Sequence, residues 1–536
     1  MLRSAIVKEP SSGETILQDP LGLSADASFR HQMGHISRQS SVFFIGTVFT
    51  TATGYLFKVY LARVLGAEAL GIYALGMTII GFVGLFNAFG LPQSAVRFVA
   101  AYCATGRTGQ LRHFLGRGLF LLLLSNVALG GLLLFLGPWI AIHFYRTPEL
   151  SKYFGLFALL MLLGALTTFL GQVLAGYKDV ARRTVITNFI GTSLTMLLSI
   201  GLIVWGLGLR GYILAQVFSG VAALVLLAVA VKKLTPRGQN ISISIFSPLE
   251  KQVVSFSAFA LGVSLLEFLM AQSDKVLIGF YLKARDVGIY AVAMGLVSFV
   301  SIVLQSVNQI FSPAIADLHA RGDFALLSRV FQTLTKWCLG LTLPLGAVMI
   351  IFAPVLMHVF GRDFAAGWPV LVIGTLGQVV NCGVGSVGYL LLMSGHQRDL
   401  VRIQTVMAFV MVALGLLLVP KWGILGAAIV AAVTNLASNL WYLWEVRRKL
   451  GMSPYNMSYF RLLVPFAGTL LVLLIERRFL SGPHSDLVLI ATALVAGYVA
   501  FTGIALLTGL GPDDRLILGA IWLRTGGKLS FLGRNA

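Results

Sequence analysis

Charged residues are scarce in this 536-residue chain. Asp, Glu, Lys and Arg make up 11% of it, and hydrophobic residues make up 57%. An ordinary soluble domain is about 25% charged. A water-soluble enzyme of this length could not cover its surface with so few polar groups, and the apolar content is too high for a disordered chain. The composition therefore predicts a protein that lies in a lipid bilayer.

Cysteine is also rare. The thiols of Cys103, Cys338 and Cys382 lie far apart in the sequence, form no Cys-x-x-Cys pair and have no histidine at metal-ligand spacing. This pattern is typical of buried free thiols, so we expect no metal site and no resident cofactor. Residues 1–39 lack the apolar run that a signal peptide needs. We expect them to form a disordered cytoplasmic tail.

Long apolar runs are what the chain does contain. A membrane helix needs about 20 apolar residues, and about fourteen segments meet that criterion. We therefore predict an all-α polytopic membrane protein. Tight turns at Arg210-Gly211 and at Lys421-Trp422-Gly423 separate two pairs of spans. The predicted spans are residues 40–61, 71–92, 118–137, 154–176, 185–207, 211–231, 253–281, 287–310, 337–358, 369–393, 404–420, 423–446, 460–477 and 487–510.

The charge is strongly basic, with 40 Lys and Arg against 20 Asp and Glu. In a soluble protein this excess would suggest nucleic acid. With an even number of spans both termini lie on one side. If that side is the cytoplasm, roughly 28 basic residues fall inside and roughly 10 outside, as the positive-inside rule requires. We therefore expect cytoplasmic termini and no nucleic-acid partner.

Large loops are missing. The longest predicted loops, residues 93–117 inside and 138–153 outside, are too short to form a catalytic domain. No nucleotide-binding or hydrolase motif lies in a loop that could use it. We therefore expect that the chain is not an enzyme, and a membrane enzyme of glycan assembly is the least favoured alternative.

The two halves of the chain repeat one another. The sequence AEALGIYAL at 67–75 matches ARDVGIYAV at 284–292 with an offset of 217 residues, and the same offset places Lys58 on Lys275. Six spans separate the copies, so both halves have the same orientation, as in transporters built from parallel repeats. The predicted units are an N-lobe at 40–234, a C-lobe at 253–450, two further helices at 455–510 and a cytoplasmic tail at 511–536.

Three stretches resemble a known family. RVLGAEALGIYAL from Arg63, DKVLIGFYLKARDVGIYAVA from Asp274 and LLLVPKWGILGAAIVAA from Leu416 are similar to the polysaccharide-transport family. Its members are O-antigen-type flippases for lipid-linked oligosaccharides, within the multidrug/oligosaccharidyl-lipid/polysaccharide exporter (MOP) superfamily. The resemblance covers about residues 40–510. It implies two six-helix lobes in a V, followed by two C-terminal helices, with helices 1, 2, 7 and 8 lining a central cavity.

The function implied by this resemblance is flipping of an undecaprenyl-pyrophosphate-linked oligosaccharide across the bacterial inner membrane by alternating access. The implied partners are that glycan and membrane lipids, with a glycan polymerase and chain-length proteins as further candidates. Drug/cation antiporters of the superfamily are one alternative, although they usually have twelve spans. Lipid II flippases are another. They tend to carry an Arg-Asp pair in the first span, where this chain has Phe57-Lys58.

Two acidic residues lie inside the seventh span. Glu267 is near its middle, and Ser264, Glu267, Ala271 and Asp274 share one helix face. Ionisable groups within a membrane are functional candidates, so Glu267 and Asp274 could couple transport to H⁺ or Na⁺. The alternative is a structural hydrogen bond or ion pair.

Three basic residues and a tyrosine are candidate contacts for an anionic headgroup. Lys58 and Lys275 are the repeat-related pair, and Tyr55 shares a helix face with Lys58. Arg97 lies at the inner end of the second span, where its guanidinium could meet a pyrophosphate. The alternatives are snorkelling of Lys58 to the headgroups, a local partner for Lys275 and ordinary positive-inside charge for Arg97.

A polar row follows the eighth span, at Ser298, Ser301, Gln305 and Asn308. Neutral hydrogen-bonding side chains suit sugar hydroxyls. Packing between membrane helices uses the same residue types, so the row has two equally good interpretations.

Overall fold

The computed structural model describes residues 21–235, 250–479, 486–509, 511 and 514. Every regular element in these ranges is helical, and eleven helices are long and apolar enough to cross a membrane. Three of them have 43, 55 and 54 residues. At 1.5 Å per residue these are about 65–80 Å long, twice the hydrocarbon core of about 30 Å. Each is broken at a glycine, so the described chain contains fourteen crossings. The predicted all-α polytopic fold is confirmed.

We number the crossings α1 to α14. They comprise α1 (21–65) and α2 (67–88), the two arms of Leu21–Ala88; α3 Thr108–Trp139; α4 Phe154–Gly176; α5 (180–205); α6 Gly208–Leu234; α7 Lys251–Tyr281; α8 Ala284–Ala320; α9 Phe324–Ile351; α10 Trp368–Val384; α11 (397–422) and α12 (424–450), the two arms of Gln397–Leu450; α13 Leu463–Phe479; and α14 Asp486–Leu507. Shorter helices lie at Leu91–Ala104, Pro148–Tyr153, Ala353–Val359, Arg362–Gly367, Val387–Met393 and Met457–Phe460.

Glycines in the left-handed region make the sharp turns between paired crossings. Gly66 (φ 79°) separates α1 from α2, and Gly423 (φ 59°) separates α11 from α12. The turn between α5 and α6 lies at Gly206 and Gly208, a few residues before the predicted break at Arg210-Gly211. A side chain with a Cβ rarely adopts positive φ, so the chain turns at these glycines and not at the basic residue nearby.

Three local predictions are wrong. Residues 21–39 are helical and continue into α1, because extending an existing helix costs far less than starting one; residues 1–20 lie outside the described residues. The loop predicted at 93–117 contains the amphipathic helix Leu91–Ala104 and the start of α3. Cys103 lies in the last turn of that helix and is exposed, whereas Cys338 and Cys382 are buried as predicted.

Each lobe has its own apolar core. In the N-lobe, Phe114 and Phe169 of α3 and α4 pack in a buried cluster with the helix Leu91–Ala104. In the C-lobe, Phe311 stacks on Phe331 at the centre of another cluster. The last two helices, α13 and α14, pack on α9, where Tyr498 donates a hydrogen bond to the carbonyl oxygen of Leu341 (2.9 Å).

A pair of amides joins α2 to α3 within the membrane. Asn87 and Asn126 are both buried, and each side-chain amide donates to the oxygen of the other. Ser125 also donates to the Asn87 oxygen (2.8 Å). Polar groups in an apolar interior need such partners, because an unpaired one keeps its full desolvation cost.

Replacing Asn126 with leucine is expected to destabilise the protein by about 1–3 kcal/mol, because the amide nitrogen of Asn87 loses its partner. The double variant Asn87→Leu/Asn126→Leu should cost less than the single change. Reversible unfolding of the purified protein in mixed micelles would measure both values. A double variant that is less stable than Asn126→Leu alone would contradict the reciprocal pairing.

Candidate functional site

The two lobes cross at one end of the bundle, which we call the crossing end. There Ala67 and Gly71 of α2 pack against Ala284 and Gly288 of α8. A methyl group added at Gly71 would overlap the carbonyl oxygen of Ala284, and one added at Gly288 would overlap that of Ala67. Both pairs are related by the 217-residue offset of the repeat, so the pseudo-twofold axis runs between them. Small residues four apart let membrane helices approach this closely.

Contacts between the lobes extend a short way along α1 and α8. Arg63 donates to the carbonyl oxygen of Val359 (2.8 Å) at the crossing end. Further in, the Tyr55 hydroxyl donates to the carbonyl oxygen of Gly295 and lies 2.5 Å from the Ser298 hydroxyl. Tyr55 and Ser298, predicted as substrate contacts, therefore join α1 to α8 in this conformation.

At the opposite end, which we call the open end, α1 and α8 pack on different lobes. Gly46 of α1 packs on Thr184 and Phe189 of the N-lobe, and Thr50 donates to the Asn188 carbonyl oxygen (3.3 Å). Phe311 of α8 packs into the C-lobe core. Each helix thus packs on its own lobe at this end.

At the open end the lobes remain in contact through α7 and the helix Leu91–Ala104. Gly90 lies against the carbonyl oxygen of Ser257 on α7, and the hydroxyls of Ser94 and Ser257 are 2.6 Å apart. The Arg97 guanidinium lies 4.8 Å from the centre of the Phe256 ring. In the same helix, burial raises the pKa of Tyr102 to about 12, and the neighbouring Glu250 adds to the increase. Arg97 therefore belongs to an interface between α7 and the helix Leu91–Ala104.

The acidic face of α7 looks into the space between the lobes. Ser264 accepts a hydrogen bond from Gln93 (3.3 Å), and Asp274 accepts one from Tyr290 of α8 (2.7 Å). Glu267 lies between them on the same face and is exposed. No side chain in the described parts of the chain forms a hydrogen bond or ion pair with its carboxylate. Asp274 is thus a partnered group, whereas Glu267 is available to an ion or substrate.

The polar residues of the α8 row differ in their exposure. Gln305 is exposed and Ser301 is half-buried, while Asn308 is buried with its side-chain oxygen unpaired. The row turns gradually around the helix, because residues at intervals of three and four do not stay on one line. Ser298 and Gln305 therefore face the lobe interface, and Asn308 faces the C-lobe.

The repeat-related lysines occupy different surroundings. The Lys275 ammonium donates to the side-chain oxygen of Gln272 (2.8 Å), next to Asp274. Lys58 lies over the Tyr55 ring (4.6 Å to the ring centre) and is close enough to Lys275 for their charges to interact. Lys58 also lines a cavity of about 470 Å³ whose walls all come from α1, α2, α4, α5 and α6.

Sequence reasoning missed this cavity, because its polar residues are distributed over separate helices. Those that line it include Thr167, Thr187, Thr192, Thr195, Tyr212, Gln216 and Ser219. Threonine and serine are common in ordinary membrane-helix packing, so no local pattern in the sequence distinguishes the members of this set.

Comparison with known proteins identifies the family of this chain. The profile of a family described as "Polysaccharide biosynthesis protein" matches residues 60–366, more than half of the chain. The chain belongs to this family. The predicted membership of a polysaccharide-related family is thereby confirmed. Among curated proteins, an uncharacterized membrane protein of Methanocaldococcus jannaschii is 21% identical over 387 residues, which cover 68% of this chain and 75% of that protein.

Solved structures with the same fold include a lipid flippase and a multidrug transporter. The lipid II flippase MurJ, in an inward closed conformation, matches with a TM-score of 0.68 at 14% identity, over 90% of this chain and 99% of that one. An inward-facing multidrug resistance transporter of the MATE family matches with a TM-score of 0.61 at 16% identity, over 74% and 94% of the two chains. These two matches show that the chain shares the fold of both proteins.

Proposed function

We propose that this protein flips a lipid-linked oligosaccharide, of the undecaprenyl-pyrophosphate type, across the bacterial inner membrane by alternating access. The observation that carries the proposal is that α1 and α8 pack on separate lobes at the open end, opposite a closed crossing end, so that the two helices can part to admit a substrate from the side. A substrate whose lipid tail stays in the bilayer needs a side entrance. A small soluble cation does not.

The orientation follows from charge. The positive-inside rule puts both termini, and with them the open end, on the cytoplasmic side. A lipid-linked glycan would load there from the inner leaflet. Its sugars would meet neutral hydrogen-bonding groups such as Gln93 and Gln305, and its pyrophosphate would pass Arg97 and the lysine pair.

Release would require the two lobes to rock against one another, so that the crossing end opens and the open end closes, as in other transporters built from repeats. The free carboxylate of Glu267 is our candidate for coupling this motion to H⁺ or Na⁺. Glycan polymerases and chain-length proteins are the candidate partners that would use the flipped product.

Flipping can be measured directly. Purified protein in liposomes should move a fluorescent undecaprenyl-pyrophosphate oligosaccharide between leaflets, read by quenching with a membrane-impermeant reductant, at a rate well above that of protein-free liposomes. The matched substrate is the same fluorescent lipid without sugars. Export of ethidium from the same liposomes without movement of the glycan lipid would instead establish a drug/cation antiporter.

A further inference from the structure

The cavity inside the N-lobe has the chemistry of a binding site. Its volume of about 470 Å³ is within the range of small-molecule pockets. Four glycines line the space, and at two of them, Gly54 and Gly164, an added group would meet no atom within 4 Å. The cavity therefore has space for a molecule larger than water.

One end of the cavity carries a positive charge. The Lys58 side chain is exposed and is one of the residues that line this space. It has no ion-pair partner among the described residues, and none of the residues lining the cavity is acidic. An ammonium ion in such surroundings favours an anion.

The walls offer both acceptors and a spare donor. The hydroxyls of Thr167, Thr187 and Thr195 donate to backbone carbonyls one turn earlier in their helices, so their oxygens remain as acceptors. The Tyr73 hydroxyl donates to the side-chain oxygen of Gln216 (2.9 Å), which orients that amide. The amide nitrogen of Gln216 is buried and has no partner in the described ranges. These groups match the hydroxyls of a sugar ring.

We propose that the N-lobe cavity binds a sugar carrying a carboxylate or phosphate, with the anionic group on Lys58 and the ring hydroxyls on the threonine oxygens and Gln216. The site would receive an acidic sugar of the glycan. This inference names a substrate class and so rests on the proposed flipping function. It assigns to Lys58 a role that its repeat partner does not share, since Lys275 is held by Gln272.

Titration calorimetry on the full-length protein in detergent micelles tests the site. The probes are methyl glucuronoside for a carboxylate, glucose 1-phosphate for a phosphate and methyl glucoside as the neutral ring. At least one anionic probe should bind about tenfold or more tightly than methyl glucoside, which corresponds to about 1.4 kcal/mol. Comparison of methyl glucuronoside with glucose 1-phosphate shows whether the site binds a carboxylate or a phosphate. Equal binding of all three probes, or binding of none, would overturn the proposal.

Two matched pairs of variants locate the bound probe. Lys58→Met and Gly164→Leu should each weaken binding by about tenfold or more, through loss of the charge and through filling of the cavity. Lys421→Met, which changes an exposed lysine of the C-lobe, is the control for the first. Gly155→Leu, on the same helix as Gly164 and also with no atom within 4 Å of an added group, is the control for the second. Binding that is kept in Lys58→Met would place the anion elsewhere and refute the assignment.

The outcome separates this inference from the flipping function, since the probes are soluble and need no transport. Flipping of a neutral glycan lipid without binding of either anionic probe would refute the acidic-sugar site alone. Probe binding without flipping would refute the proposed function alone. If Lys58→Met does not fold, the glycine pair decides, because a Cβ added at Gly155 or Gly164 meets no atom within 4 Å.

Discussion

Replacing Gly71 with leucine is expected to open the crossing end and to reduce glycan flipping about tenfold or more. The leucine side chain would occupy the position of the Ala284 carbonyl oxygen, and backbone cannot move aside as a flexible side chain can. Overpacking of this kind costs about 1–3 kcal/mol, and each 1.4 kcal/mol shifts an equilibrium about tenfold. The cost falls only on the state with a closed crossing end, so the population should shift away from that state.

The shift can be read as a distance. Spin labels at Lys152→Cys in the N-lobe and Arg362→Cys in the C-lobe, both exposed at the crossing end, should move apart in the Gly71→Leu variant. The exposed Cys103 is first changed to serine. Gly131→Leu, on α3 with no atom within 4 Å of an added group, should leave the distance and the flipping rate unchanged. An unchanged distance in Gly71→Leu would refute the role of this contact in closure.

Gly288 provides an internal check on the symmetry. It stands against the carbonyl oxygen of Ala67 as Gly71 stands against that of Ala284. Gly288→Leu should therefore lengthen the same distance by a similar amount. A normal distance and normal flipping in Gly288→Leu, beside a strong effect in Gly71→Leu, would mean that only one side of the pseudo-twofold contact controls closure.

Replacing Glu267 with glutamine is expected to abolish the acceleration of flipping by an ion gradient and to leave exchange without a gradient intact. The amide keeps the size of the side chain but can neither carry a proton nor balance a cation charge. Glu267 is suited to this role because it is exposed between two partnered residues, Ser264 and Asp274. A carboxylate inside a membrane is energetically unfavourable, so its presence there indicates a functional role.

Liposomes with an imposed H⁺ gradient, and separately a Na⁺ gradient, would measure the effect. Glu68→Gln, an exposed acid at the crossing end, is the matched control and should keep the full response. If the flipping rate of the wild-type protein does not change with either gradient, the coupling proposal is wrong. A Glu267→Gln variant with an unchanged response would assign the coupling to another group.

The repeat was the most informative feature of the sequence. An offset of 217 residues predicted two lobes of like orientation, and the same offset relates the two alanines and two glycines that meet at the crossing end. The apolar runs predicted fourteen crossings, because the thickness of a bilayer sets the length of a spanning helix. Turn positions were less predictable: Gly423 was placed correctly, whereas the turn near Arg210 lies at Gly206 and Gly208.

Roles of individual polar residues depended on the tertiary structure. Lys58 and Lys275 are equivalent in the repeat, yet Gln272 binds one and a cavity faces the other. Tyr55 and Ser298 were plausible sugar contacts but join the lobes. The sequence by itself determined the fold class, the crossings and the repeat, since these follow from apolar length, charge asymmetry and local similarity. Only the tertiary structure decided which polar groups are free, because their partners lie on other helices. The hydrogen bond from Tyr73 to Gln216 joins residues 143 positions apart, and such a bond leaves no local pattern in the sequence.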